Sequence, residues 1–105
     1  MPPGKPLPVQ ILALDKLFLR AVKLAPWKDF TMRQSFMLIR AYDGPATILG
    51  LHIDMQVDKP ALTRGADLHE RLGLMKRQED PLDRRSVLLV ITDQGRRAVE
   101  KLAGL

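Results

Sequence analysis

One stretch, from Asp58 to Thr92, constrains the fold of this chain more than any other. Asp58 reads as an N-cap, and a helical run over 59–72 follows, with Pro60 in the first turn where its missing donor costs nothing. Gly73 then acts as a pivot into two apolar-rich arms, 74–77 and 87–91, separated by the polar loop Gln78-Glu79-Asp80-Pro81-Leu82-Asp83-Arg84-Arg85-Ser86. A helix leading directly into a hairpin with adjacent arginines near its tip sets two probes on one surface. The helix suits a major groove and an arginine finger suits a minor groove.

The stretch upstream supplies a partner for that helix. Thr47 reads as the cap of a short helix, about 48–55, whose Leu51 and Met55 repeat at helical spacing. Two helices joined by about three residues, the second longer, form a helix-turn-helix over 47–72. In the second helix, Leu62, Ala66, His69 and Leu72 are expected to face inward. Lys59, Ala61, Thr63, Arg64 and Asp67 are expected to face out. Lys59, Thr63 and Arg64 stand at i, i+4 and i+5, close to the helix N-terminus, where backbone donors and the dipole favour phosphate. Arg64 is the expected reader of guanine. Lys76 and Arg77 flank the start of the hairpin, where phosphate contact and plain solvation are equally good readings.

Before this head the chain reads as arm, helix, turn and helix. Residues 1–6 carry four prolines and glycines and suit an extended, flexible arm. From 7 to 25 the pattern is helical and apolar well beyond one face, with Ile11, Leu14, Phe18, Ala21 and Ala25 in one stripe. Such a helix requires two surfaces to bury it, its own domain and a second subunit. Trp27 is expected to anchor the first two helices or, as the other reading, to line a ligand cleft. Thr31 and Gln34 form a capping box for a helix to about Ala41, with Phe36, Leu38 and Ile39 inward. Pro45-Ala46 suits a very short third strand. Thr92 caps a last helix, 93–103, carrying Ala98, Val99, Leu102 and Leu105.

Composition removes several classes of function. Seventeen Lys and Arg against twelve Asp and Glu give a net charge of +5, which favours a polyanionic partner. With no cysteine, disulfides, thiol chemistry and cysteine-based zinc sites are excluded. Aromatics at 5 % are too few for stacking on single strands. No nucleophile–base pair, phosphate-cradling glycine loop or metal-ligand spacing occurs, so no enzyme, cofactor or metal is expected. His52 and His69 read as packed, hydrogen-bonded histidines, with pH sensing as the other reading. The methionines read as packing. No apolar stretch is long enough to span a bilayer and no signal-type core follows the N-terminus, so a cytoplasmic, nucleoid-associated protein is expected.

The segment Asp80-Pro81-Leu82-Asp83-Arg84-Arg85-Ser86-Val87, its continuation Leu88 to Arg96, the helix opening Val57 to Arg64, and Leu72-Gly73-Leu74 together resemble the MarR family of winged-helix regulators. The resemblance runs from about Thr31 to Leu102. It implies a mainly α fold with a small antiparallel β wing, an α+β winged helix-turn-helix in a single domain over 7–105, with the wing at 74–91. It further implies a homodimer on pseudo-palindromic double-stranded DNA, acting as a repressor, with a small-molecule effector possible. Lys59, Pro60, Thr63 and Arg64 would lie at the major groove, with Arg84 or Arg85 in the minor groove. Asp80 and Asp83 would shape the wing tip by pairing with a nearby arginine. Dimer contacts are expected at Ile11, Leu14, Phe18 and Leu102. The chain departs from the family at Gln56, where the turn often carries glycine, at His52 and His69, at Gly65 inside the recognition helix, and in stopping at Leu105, before the long C-terminal helices. An adaptor or anti-repressor that pairs with another regulator is the alternative function.

Overall fold

The computed structural model describes residues 4–105, so Met1, Pro2 and Pro3 of the expected arm lie outside the described residues; residues 4–8 carry no regular structure. Five helices follow, α1 (Val9–Ala21), α2 (Met32–Tyr42), α3 (Ile48–Met55), α4 (Lys59–Arg71) and α5 (Asp93–Ala103). Three short strands, β1 (Ala46–Thr47), β2 (Met75–Glu79) and β3 (Val87–Ile91), form one antiparallel sheet in the order β1-β3-β2. Met75 opposes Ile91 and Glu79 opposes Val87 across the hairpin, while Ala46 opposes Leu89 on the other edge of β3. The architecture is a mainly α domain with a small antiparallel β wing. No helix among the described residues is long and apolar enough to cross a membrane.

Local side chains set the helix starts. Gln34 N–H donates to Thr31 Oγ1 at 3.2 Å and Gln34 Oε1 accepts from Thr31 N–H at 2.9 Å, completing the capping box of α2. Thr47, Asp58 and Thr92 accept from the amides of Gly50, Ala61 and Gly95, capping α3, α4 and α5. At the end of α4 the chain reverses through Gly73 at φ +75, and Leu74 N–H donates back to His69 O at 2.9 Å. Thr92 locks this root to the return strand. Its hydroxyl donates to Gly73 O at 2.6 Å and its amide to Leu74 O at 3.0 Å.

The turn between α3 and α4 carries a strained residue. Gln56 occupies the left-handed region, φ 54 and ψ 42, a conformation costing a side-chain-bearing residue roughly 1–2 kcal/mol. Its backbone still caps α3 by donating to His52 O. Replacing Gln56 by Gly relieves the clash and adds some unfolded-state entropy, so a net gain of about 0.5–1 kcal/mol is expected. A urea midpoint that rises with an unchanged slope is the check.

The core gathers α2, α3, α4, the inner sheet face and α5 around Met37, Leu38, Leu51, Leu62, Leu89 and His69, each essentially shielded from solvent. Several inward assignments shift. Met37, Leu38 and Ala41 form the buried stripe of α2, whereas Phe36 remains 37 % exposed beneath the Arg40 guanidinium and Ile39 44 % exposed toward α1. Leu72 is half-exposed and Leu105 is exposed. Trp27 is buried in a single 3-10 turn and donates from Nε1 to Ala98 O at 3.0 Å, tying the α1–α2 connection to α5. The first helix ends at Ala21, not Ala25, because the chain turns there to bring Trp27 inward. None of its residues is buried. Arg20 holds it to α5, donating from Nη1 to Leu102 O at 2.7 Å.

Candidate nucleic-acid interface

The surface that collects the candidate residues is built by α3, α4 and the wing. Pro60 sits in the first turn of α4, and Lys59, Thr63 and Arg64 project from its exposed side. Lys59 and Thr63 face the wing, sharing a hollow of about 480 Å³ with Arg85, Ser86 and the α3 residues Ile48 and Leu49. Arg64 points to the other flank of α4, where Arg33 and Gln34 at the start of α2 share a second groove with it. The structure therefore brings Lys59, Thr63 and Arg85 together, sets Arg64 apart beside Arg33, and leaves Arg84 exposed on the wing loop. Arg33 was missed from sequence because nothing local links it to the recognition helix; its place in the first turn of a capped helix is the signal that could have found it.

Two carboxylates shape the wing tip, through different partners from those expected. Asp80 Oδ1 accepts from Leu82 N–H at 2.9 Å and Asp83 Oδ1 from Arg85 N–H at 3.0 Å, two Asx turns that bend the loop. Neither pairs with an arginine among the described residues. The backbone thus fixes the tip while the guanidiniums of Arg84 and Arg85 remain without ion-pair partners there.

Arg77 is different. Its Nη2 lies 2.5 Å from Asp67 Oδ1 and its Nη1 3.0 Å from Glu70 Oε1, so the first strand of the wing is tied to α4. Hydrogen bonding to Asp67 raises its already high pKa further. This arginine is a brace, with its charge already partnered, while Lys76 beside it is exposed.

The expected dimer residues divide similarly. Ile11, Leu14 and Phe18 are all well exposed on α1, but Leu102 is buried in the chain's own core. Leu14, Leu17 and Phe18 line an apolar cleft of about 360 Å³ under α1, closed on the other side by Trp27, Phe30 and Ile39. No group of three or more metal-ligating side chains occurs among the described residues.

A helix-turn-helix followed by a two-stranded wing, with unpaired cations on both, defines a winged-helix protein. Comparison with known proteins narrows the class. No family model matches the chain. An uncharacterised HTH-type transcriptional regulator of Bacillus subtilis, YhbI, is 29 % identical over 76 residues, 71 % of this chain and 49 % of the relative. The chain therefore spans about half the length of that curated relative. The transcriptional regulator Tm0710 of Thermotoga maritima superposes with a TM-score of 0.78 at 27 % identity, over 91 % of this chain and 68 % of that one. A MarR variant of E. coli in complex with operator DNA gives 0.71 at 28 % identity, over 92 % and 69 %. The chain has the MarR-family winged-helix fold of transcriptional regulators.

Proposed function

We propose that this chain binds double-stranded DNA as a homodimer and represses transcription, with α4 in the major groove and an arginine of the wing in the minor groove. The observation that carries this reading is the shared hollow in which Lys59 and Thr63 of α4 meet Arg85 of the wing. Lys59, Arg64, Arg84 and Arg85 are solvent-facing cations without ion-pair partners among the described residues. They would supply most of the affinity through phosphates, while Thr63 and Arg64 would add base preference. The E. coli MarR variant in complex with operator DNA shares this fold and supports double-stranded DNA as the partner. Work on DNA would put the protein at the nucleoid.

Dimerisation is supported by α1, an apolar helix with no buried residue, whose Ile11, Leu14 and Phe18 would meet a second copy. Covering such surface contributes about 25 cal/mol per Å². The cleft beneath α1 is where an apolar effector would act, since it lies between the arm joining two protomers and the DNA-reading body. The same exposed helix supports a second reading, an adaptor or anti-repressor whose α1 pairs with a different regulator.

Selection of bound sites from random duplexes, followed by affinity against salt, tests the proposal. Half-sites about 10 bp apart are expected for a two-fold dimer. Four cations per protomer without ion-pair partners among the described residues, eight in a dimer, predict a log–log salt slope of about −7. A salt-insensitive complex would overturn the groove assignment, and a sedimentation mass of one chain with no duplex binding would favour the adaptor.

A further inference from the structure

His69 is the one buried polar or charged side chain in the described core, with 0 % of its surface exposed. It lies on the inner face of α4, about one and a half turns from Thr63 and Arg64, the residues that would read bases. Its Nε2 lies 2.8 Å from the carbonyl oxygen of Gln34, in the first turn of α2. A carbonyl only accepts, so Nε2 carries the ring hydrogen and Nδ1 is the bare nitrogen. That Nδ1 is buried and has no hydrogen-bond partner. The Phe30 ring meets the imidazole edge to face, centroids 4.9 Å apart.

We propose that His69 is a positioning residue, a neutral pin that sets the recognition helix against α2 through the Gln34 carbonyl and is forced from its apolar pocket on protonation, so that DNA binding by this chain is lost in acid. The inference rests on the DNA-binding reading given above. A second proton on the ring must go to Nδ1, which meets no acceptor, and the resulting cation would lie in an apolar pocket. The charged residues of the elements around it do not offset this. Arg33 and Arg40 on α2, Arg64, Asp67, Glu70 and Arg71 on α4, and Lys76 on β2 are exposed, and Arg77 on β2 is engaged with Asp67 and Glu70. His52 on α3 is occupied across the turn with Val57 O at 2.7 Å.

Burial accordingly pushes the His69 pKa below its ordinary value near 6.5, outweighing the opposing effect of the Gln34 carbonyl. The sign follows. With the folded-state value depressed, the stabilising contribution is fully present above about pH 6.5 and is lost as pH falls from there toward the folded value. What is lost first is the fit of α4 on α2, because both partners of the pin belong to those helices.

The direction separates this device from ordinary histidine behaviour. An exposed histidine gains positive charge in acid and strengthens binding to a polyanion. The pin does the reverse. The test measures duplex affinity of the full chain from about pH 7.5 down to the lowest pH at which it stays folded, for wild type, His69→Gln and His52→Gln. Glutamine retains a donor for the Gln34 carbonyl and does not titrate. Wild type and His52→Gln are expected to weaken by about tenfold per pH unit once the protonated form dominates, while His69→Gln stays nearly flat. NMR on the wild type keeps the proposal testable if His69→Gln folds poorly. The His69 ring should titrate below the ordinary histidine range, and its protonation should move the Gln34 and α4 amides together. A His69→Gln profile matching wild type, or His69 titrating without any response at Gln34 and α4, overturns the pin. If the wild type binds no duplex at any pH while the NMR coupling holds, the DNA-binding reading fails and the pin stands.

Discussion

Replacing Gly95 by alanine is expected to destabilise the fold by about 3 kcal/mol or more, although it exchanges glycine for the best helix former within α5. A Cβ at Gly95 would lie 2.1 Å from the carbonyl oxygen of Leu74 and 2.8 Å from Ile91 Cγ1. The first obstacle is backbone, and it cannot swing aside. Leu74 is held at the root of the wing, its amide bonded to His69 O and its carbonyl accepting from Thr92 N–H. To admit a methyl group, α5 must lift from the helix–wing junction and pull on Thr92, which both caps α5 and locks Gly73. A thermal midpoint lower by about 10 °C or more is the expected reading for a domain of this size. Gly65 provides the control, also a glycine within a helix and also buried. Its added Cβ would meet only the Sδ and Cε of Met37, at 2.7 and 3.2 Å, the mobile end of a flexible side chain. Gly65→Ala is therefore expected to stay within about 1 kcal/mol of wild type, helix propensity offsetting a small repacking. If both variants lost stability equally, close backbone approach at Gly95 would not be the cause.

The contrast between these glycines indicates which parts of the fold were legible in the sequence. Features decided within four residues were readable: the caps at Thr31, Thr47, Asp58 and Thr92 and the reversal at Gly73. Their hydrogen bonds join a side chain to a backbone amide a fixed distance along the chain, so residue type and spacing suffice. Features decided by a partner far along the chain were not readable. The phase of α2 is one example. Phe36 and Ile39 are as apolar as Met37 and Ala41, and only the packing of α4 and α5 selects the second pair. The early end of α1 is another, since Trp27 is drawn inward by Ala98 on the last helix. The first hairpin arm, expected to end at 77, runs on to Glu79, because Gln78 and Glu79 pair with Leu88 and Val87 across the sheet. His69 was expected to face inward and is buried; what only the fold decides is that one ring nitrogen meets the Gln34 carbonyl and the other meets no partner.

The candidate interface divides along the same line. Which cations share the α4–wing region was visible in order and spacing, but which already have a partner was not. Arg77 stands next to Lys76 in sequence, yet only Arg77 reaches Asp67 and Glu70 on α4. Asp80 and Asp83 stand close to Arg84 and Arg85, yet each accepts from a backbone amide two residues ahead. Short Asx turns satisfy the carboxylates locally, and this leaves the wing arginines available to a polyanion.

That division leads to the largest expected effect on binding. Arg84→Ala with Arg85→Ala should weaken duplex affinity by about 100-fold or more, since each arginine in contact with DNA contributes about 1–3 kcal/mol. It should also reduce the magnitude of the salt slope by about 2 to 4 for a dimer, because the counterions those guanidiniums displace are no longer released. Arg77→Met should behave otherwise. Its charge is already matched by Asp67 and Glu70, so it has few counterions to displace, and the slope should stay close to wild type. Affinity should still fall, by up to about tenfold, because the partly exposed ion pairs that brace the wing against α4 contribute only a little each. The two variants thus separate contact from positioning in one titration: a slope lost with affinity marks a residue on phosphate, and affinity lost at constant slope marks a residue that aims the probes. Were Arg77→Met to lower the slope as much as the double variant, its guanidinium would have to leave Asp67 and Glu70 for DNA, and the wing would be a far looser element than its hydrogen bonds imply.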